Sequence, residues 1–201
     1  MCPKSPEYSG NWGLMGGIFD PIHYGHLLLA ESARAAFDLA AVMFVVSCDP
    51  PHRENKPVAS FDTRLKMVTA AIDDNDCFVA SDMEKDMKIP SYTNNVVDEL
   101  MKKYPDIKWH LILGADNVAL FDSWYRPDEL IAKVHVVMAG RPGYERTGNR
   151  SPWIEKVTRF EMPPMDISST DIRRRLKEGR SIRYLVPENV RRMIAAEGLY
   201  R

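Results

Sequence analysis

Short runs of branched and aromatic apolar residues alternate along the chain with helix-periodic stretches, and this alternation restricts the fold more than any other feature. The apolar runs lie at residues 13–19, 42–47, 77–81, 109–113 and 134–139, each flanked by turn or loop signals. Runs of that length and composition read as buried strands. Between them, residues 27–37, 63–72, 96–104 and 117–121 repeat apolar side chains at three-and-four spacing, the period of a helix with one buried face. Alternating strands and helices with almost no tight-hairpin signal predict an α/β fold: a doubly wound, mainly parallel sheet with helices on both faces. Toward the end the pattern changes, with a last strand expected at 157–161 and then a small helical C-terminal part at 170–177 and 187–197. Pro187 suits a first helical turn there, and Gly198 suits a helix C-terminus.

The 201 residues suffice for one domain with a sizeable core, expected over 13–201, and the polar, proline-containing residues 1–12 read as a flexible N-terminal extension. Lys plus Arg (27) nearly cancels Asp plus Glu (28), so the overall charge suggests no nucleic-acid partner, and any phosphate chemistry must be local. The cysteines, Cys2, Cys48 and Cys77, are odd in number and widely spaced, which argues against a disulfide framework and a cysteine zinc cluster. A reducing cytoplasm fits best. No run approaches the length of a membrane span, and membrane partners are not expected.

Residues suited to phosphate concentrate in 16–26, which read GGIFDPIHYGH. Glycines at a strand end let backbone approach a ligand closely, and a helix N-terminus presents unpaired N–H groups and a positive dipole end. His23 and His26, three residues apart at the helix start, can donate to phosphate oxygens. In isolation the segment also fits a strand-end turn with two packed or solvent-facing histidines. A metal site is not expected, because no cysteine cluster or third nearby histidine completes a tetrahedral set. Ile167-Ser168-Ser169-Thr170 reads as a helix N-cap, with Ser168 or Ser169 as cap and Arg173 one turn in. Asp116, after a strand end, suits either an N-cap or the hydroxyls of a ribose. Arg53 and Arg141 lie on the two longest polar loops, 49–60 and 140–152, and are candidates for phosphate or nucleotide contacts. His110 and His135, inside apolar strand runs, read as structural, and Trp124 reads as a core or rim aromatic or as a platform for a flat ring.

The pattern GGxFDPxHxGH, carried by residues 16–26, resembles the signature of the bacterial nicotinate mononucleotide adenylyltransferases, members of the nucleotidyltransferases with an HxGH motif. The resemblance continues, in order and spacing, at Pro50-Pro51-His52-Arg53, Pro90-Ser91-Tyr92-Thr93, Leu113-Gly114-Ala115-Asp116, Trp124-Tyr125, Arg141-Pro142-Gly143 and Ile167-Ser168-Ser169-Thr170 with Ile172-Arg173. It implies a Rossmann-like fold and transfer of the adenylyl group of ATP to nicotinate mononucleotide, giving deamido-NAD and pyrophosphate in NAD biosynthesis, with Mg2+ accompanying ATP. Carried over by position, His23, His26, Ser169 and Arg173 are catalytic. Gly16, Gly17, Phe19, Gly114, Asp116, Ile167 and Ser168 join them on ATP, while Ile18, Tyr92, Thr93, Trp124, Tyr125, Arg53 and Arg141 hold nicotinate mononucleotide. The implied partners are these small molecules, and self-association into a homo-oligomer is allowed. The chain departs from the family at Ile18 and Val96, where threonine is common, so each position lacks a hydroxyl. Two rivals stand beside this reading. A sister transferase with another acceptor, such as pantetheine-phosphate adenylyltransferase, is opposed by Trp124 and Ser91-Tyr92-Thr93. A non-catalytic nucleotide-binding protein is opposed by intact His23, His26 and Ser169.

Overall fold

The computed structural model describes residues 9–48, 57–87, 90–114, 121–140 and 153–201. Among these, β1 (Gly10–Gly17), β2 (Ala41–Val46), β3 (Phe78–Ser81), β4 (Ile107–Leu113), β5 (His135–Gly140) and β6 (Thr158–Glu161) form one sheet in the order β3-β2-β1-β4-β5-β6. Every neighbouring pair is parallel, so each connection must cross over a face of the sheet. The helices are α1 (Tyr24–Ala36) after β1, α2 (Phe61–Ala71) before β3, α3 (Thr93–Lys103) before β4 and α4 (Pro127–Lys133) before β5. After β6 come α5 (Ser169–Lys177) and α6 (Glu188–Ala196). This is the expected Rossmann-like α/β fold with a helical C-terminal part.

The central strands show why the sheet is covered on both faces. All of β2, Ala41-Val42-Met43-Phe44-Val45-Val46, is buried. Val42, Phe44 and Val46 join one core with Leu29 of α1, Met67 of α2, Ile172 of α5 and Val190 of α6. Met43 and Val45 join the other with Trp12, Val97 of α3 and Leu130 of α4. A strand that is apolar on both sides of its pleat demands two helical layers. The C-terminal helices share the α1–α2 face, which brings them to the corner after β1. Strand order reverses at the β1–β4 boundary, and in open parallel sheets the ligand crevice lies outside the carboxyl ends of such strands. Gly17 and Leu113 mark those ends here.

Several boundaries differ from expectation for physical reasons. β1 begins at Gly10, so residues 10–12, expected in the extension, belong to the sheet; Trp12 is buried edge-on to Trp109, with ring centroids 6.2 Å apart. α1 begins at Tyr24 rather than residue 27, with His23 as its extended N-cap. α3 begins at Thr93 rather than residue 96 because Asn94, though polar, is buried, donating to Glu129 at 3.2 Å and accepting from Lys133 at 2.7 Å. Both partners stand on α4, a seven-residue helix not foreseen from the sequence, with Pro127 in its first turn. Of the helix expected at 117–121, residues 117–120 lie outside the described residues, and Phe121 opens a 3-10 turn, Phe121–Ser123. Pro187 is the N-cap of α6, and Gly198 follows that helix at φ 61°, in the left-handed region that suits glycine. Cys48 is a free cysteine, whereas Cys77 is disulfide-bonded, against the expectation of no disulfides. Spacing in sequence does not report which sulfurs a fold brings together. Among the described residues no helix is long and apolar enough to cross a membrane.

Candidate active site

After β1 the chain turns through Phe19-Asp20-Pro21 into α1, with a cis peptide between Asp20 and Pro21. A Cβ added to Gly16 would meet nothing within 4 Å, so the end of the central strand faces open space on that side. A Cβ on Gly17 would lie 2.9 Å from the Phe19 ring. That ring is 2% exposed and packs edge-on against His26 at 5.1 Å and against Phe44 at 5.8 Å. Phe19 therefore supports His26 from the core side. The His23 and His26 rings stack with centroids 3.7 Å apart at 24°. His26 Nδ1 accepts from the His23 backbone N–H at 3.3 Å, which leaves the His26 ring proton on Nε2. His23 is 5% exposed, and its Nδ1 is buried with no partner. Its ring lies over Gly25, where a Cβ would come within 3.0 Å of Nδ1, so the glycine of HYGH is what lets this imidazole sit down.

α5 approaches the same corner. Ser168 is its N-cap, accepting from the Asp171 backbone N–H at 3.1 Å. With Ser168 capping, Ser169 Oγ reaches across to donate to the Pro21 carbonyl at 2.9 Å. Arg173 Nη1 donates to the Asp20 carbonyl at 2.7 Å, and its Nη2 lies 3.3 Å from Thr170 Oγ1. The Ile167 carbonyl lies 3.5 Å from where a Gly25 Cβ would be. Two helix N-termini thus meet at residues 20–25. Arg174 and Arg175 bond Asp171 on the outer side of α5 and hold its carboxyl down at about 2, as a solvated face would.

Behind the corner lies a network absent from the sequence-predicted set. Asp20 is buried, and its carboxylate accepts from the backbone N–H groups of Val58 at 2.8 Å and Ala59 at 3.2 Å. Arg64, 1% exposed, donates to the carbonyls of Ile18 at 2.6 Å, Ser47 at 2.8 Å and Ala59 at 3.3 Å. Glu84, also buried, accepts from Cys48 N–H at 3.1 Å, Ser47 Oγ at 3.4 Å and the Ser91 hydroxyl. Burial pushes the Glu84 carboxyl up, while Ser91, Cys48 and Ser47 pull it back. Through these side chains the loop before Tyr92 is tied to the end of β2 and on to the corner after β1.

At the start of α3, its N-cap Tyr92 stacks on Tyr125 at 4.4 Å and 23°. Trp124 is half-buried, with its ring 5.2 Å from Phe121. Thr93 opens α3, and Gly114 follows β4. Residues 14–175 match the cytidylyltransferase-like family. The chain is 43% identical over 195 residues to a protein of Rubrobacter xylanophilus named nicotinate-nucleotide adenylyltransferase, covering 94% of this chain and 91% of that one. It is 42% identical over 188 residues to one of the same name from Exiguobacterium sibiricum, covering 94% and 97%. The chain belongs to the nicotinate-nucleotide adenylyltransferase family. In fold it is similar to the Plasmodium falciparum nicotinic acid mononucleotide adenylyltransferase complexed with NaAD, with a TM-score of 0.77 at 19% identity over 95% of this chain and 97% of that one. It is accordingly a nucleotidyltransferase of NAD biosynthesis.

Within this adenylyltransferase family member, the structure gathers Gly16, Gly17, Phe19, His23, His26, Ile167, Ser168, Ser169 and Arg173 at one corner, while Tyr92 and Tyr125 stack on each other and Trp124 packs on Phe121. Ile18 is half-buried and engaged through its carbonyl by Arg64. Arg53, Asp116 and Arg141 lie outside the described residues. Val96 is buried in the α3–α4 core, so the hydroxyl missing there is missing from packed apolar surroundings. His110 is buried with its ring 5.0 Å from that of His135, consistent with structural roles.

Burial lowers the His23 pKa from 6.5 to about 4, so its imidazole is neutral at pH 7 in the free site. A histidine held neutral by the fold stabilises it less as the unfolded chain gains a proton that the native state refuses. Stability is therefore expected to fall between pH 6.5 and pH 4, by up to roughly 3 kcal/mol from this residue. Urea unfolding of wild type and His23→Asn across that window checks it, the variant losing correspondingly less.

Proposed function

We propose that the chain transfers the adenylyl group of ATP to nicotinate mononucleotide, giving deamido-NAD and pyrophosphate, with the triphosphate held between the α1 and α5 N-termini. The supporting observation is the crossing of Ser169 and Arg173 to the Pro21 and Asp20 carbonyls beside the stacked histidines. An oxygen of the acceptor phosphate attacks the α-phosphorus in line; that P–O bond forms as the bond to the β-phosphate breaks, and the electron pair leaves on pyrophosphate. Both reactants are anions, so the protein aligns them and offsets charge on the leaving group. His23, the Nε2–H of His26 and Arg173 supply the donors, Ser169 sets α5 against the corner, and Gly16 leaves room for the nucleotide. By their place in the Leu113-Gly114-Ala115-Asp116 motif, Gly114 and Asp116 are assigned to its ribose.

Among the described residues no three His, Cys, Asp or Glu side chains gather into a metal site. Mg2+, which keeps water and prefers phosphate oxygens, is suited to arriving with ATP and neutralises part of the triphosphate charge when bound. The nicotinate ring stacks on Trp124 and lies near the Tyr92–Tyr125 pair, with its carboxylate at Thr93 and the first N–H groups of α3. Ile18, and by motif Arg53 and Arg141, are assigned to the acceptor. Residues 10–201 act as one domain in the cytoplasm, alone or as a homo-oligomer, on these small molecules and not on nucleic acid.

A helix N-terminus favours an anion over a neutral amide. With ATP and magnesium, kcat/KM for nicotinate mononucleotide is expected to exceed that for nicotinamide mononucleotide by about tenfold or more. Turnover of phosphopantetheine without turnover of nicotinate mononucleotide would sink the acceptor assignment.

A further inference from the structure

Beyond α6 the chain doubles back through Gly198 at φ 61° and Tyr200 at φ 64°. The return buries the Tyr200 ring, 5% exposed, in the same core as Phe19, Ile22 and Ile172. Its hydroxyl donates to Asp20 Oδ1 at 2.6 Å. Burial and the adjacent Asp20 carboxylate push the phenol far above its usual value, so the group stays a donor throughout the range in which the protein works.

Asp20 is thereby held from several sides. Its two carboxylate oxygens take the Val58 and Ala59 N–H groups and the Tyr200 hydroxyl, and its carbonyl takes Arg173. The next carbonyl, of Pro21, takes Ser169. A second tie from the same C-terminal part reaches the corner, where the Leu185 carbonyl accepts from the Tyr24 N–H at 3.1 Å. The Asp20 side chain and its own carbonyl thus belong to one set of bonds that takes in Arg173, whose other terminal nitrogen lies 3.3 Å from Thr170 Oγ1.

We propose that Tyr200 is a positioning residue for nucleotide binding: its hydroxyl fixes the Asp20 carboxylate, and Asp20 in turn sets the main-chain carbonyl that orients Arg173. The proposal rests on the reading of Arg173 as a triphosphate donor. It concerns a buried residue 180 positions from Asp20 that carries no signal in the nucleotidyltransferase motifs. Removing the hydroxyl alone leaves Asp20 with its two backbone donors and leaves the aromatic ring in the core. The corner then stays folded but loses one of its anchors, and Arg173 loses its fixed aim.

The test uses the full chain carrying Tyr200→Phe, with calorimetric titration of a non-hydrolysable ATP analogue and, separately, of nicotinate mononucleotide, alongside steady-state kinetics. The analogue is expected to bind roughly tenfold more weakly, the size of losing one hydrogen bond to a buried charged group. kcat/KM for ATP should fall by at least that factor, while affinity for nicotinate mononucleotide stays within about twofold, since a bond on the triphosphate side leaves uniform acceptor binding alone. Asp20→Ala combined with Tyr200→Phe should lose little more than Asp20→Ala alone, because alanine already removes the acceptor of the Tyr200 hydroxyl. Wild-type analogue affinity in Tyr200→Phe, even with a lowered Tm, overturns the proposal, and so does an equal loss for both ligands. Should Tyr200→Phe fail to fold, Asp20→Asn gives the same analogue readout. A wild-type protein that binds the analogue but does not adenylate nicotinate mononucleotide defeats the acceptor assignment and leaves this test intact.

Discussion

His23→Ala is expected to lower kcat by about two to three orders of magnitude while changing the affinity for ATP much less. The ring is buried at the corner, 5% exposed. It is stacked on His26 at 3.7 Å, seated over Gly25 and kept neutral by burial, so its position is set before any ligand arrives. A donor fixed in advance costs no reorganisation when negative charge builds on the leaving pyrophosphate, which is the condition under which one hydrogen bond is worth several kcal/mol to a transition state. Alanine leaves a void that water fills, and water must reorient during the reaction. The comparison to make is single-turnover adenylyl transfer against equilibrium binding of the non-hydrolysable analogue, in wild type and variant. A variant that transfers at the wild-type rate removes His23 from the chemistry. A loss confined to analogue affinity, with kcat intact, assigns it to ground-state binding instead.

The parts legible in the sequence were those encoded by local pattern. Each of the six strands was foreseen to within three residues at either end, because a strand buried on both faces must be apolar at nearly every position, as in β2. The corner was legible because glycine, histidine and a helix start fall within eleven residues, and the α5 cap because Ser168 and Ser169 precede an amphipathic stretch. What was not legible depends on partners far apart in the chain. Asp20 meets Tyr200 across 180 positions, and Arg64 meets Ile18 across 46. α4 and the early start of α3 escaped notice together, since buried Asn94 is satisfied only by Glu129 and Lys133 of that helix. The sequence does carry one local sign of this network. On α2 the buried positions are Arg64, Met67, Val68 and Ala71, so an arginine occupies the apolar stripe, and a charge there is either an error of register or a group with buried partners.

That arginine carries the largest expected effect on stability. Arg64→Met keeps most of the apolar stem and the volume, and removes the donors from the carbonyls of Ile18, Ser47 and Ala59. It also removes the cation that faces the buried Asp20 and Glu84 carboxylates. Burial pulls the Arg64 pKa down, but the guanidinium remains charged because those neighbours offset the cost and its intrinsic basicity is high. Taking one member out of such a set leaves opposite charges and carbonyls without compensation, a loss of about 3 to 5 kcal/mol. For a chain of this size that corresponds to a fall in Tm of roughly 10 °C or more. Arg64→Lys should recover only part of it, because an ammonium on a flexible stem cannot span carbonyls on three separate segments as the planar fork does. Thermal and urea unfolding of the three proteins at pH 7 decide the matter. Near-equal stability of wild type and Arg64→Met would mean that the segments around Ile18, Ser47 and Ala59 hold their places by apolar packing alone. If Arg64→Lys matches wild type, charge rather than the geometry of the fork is what the corner requires.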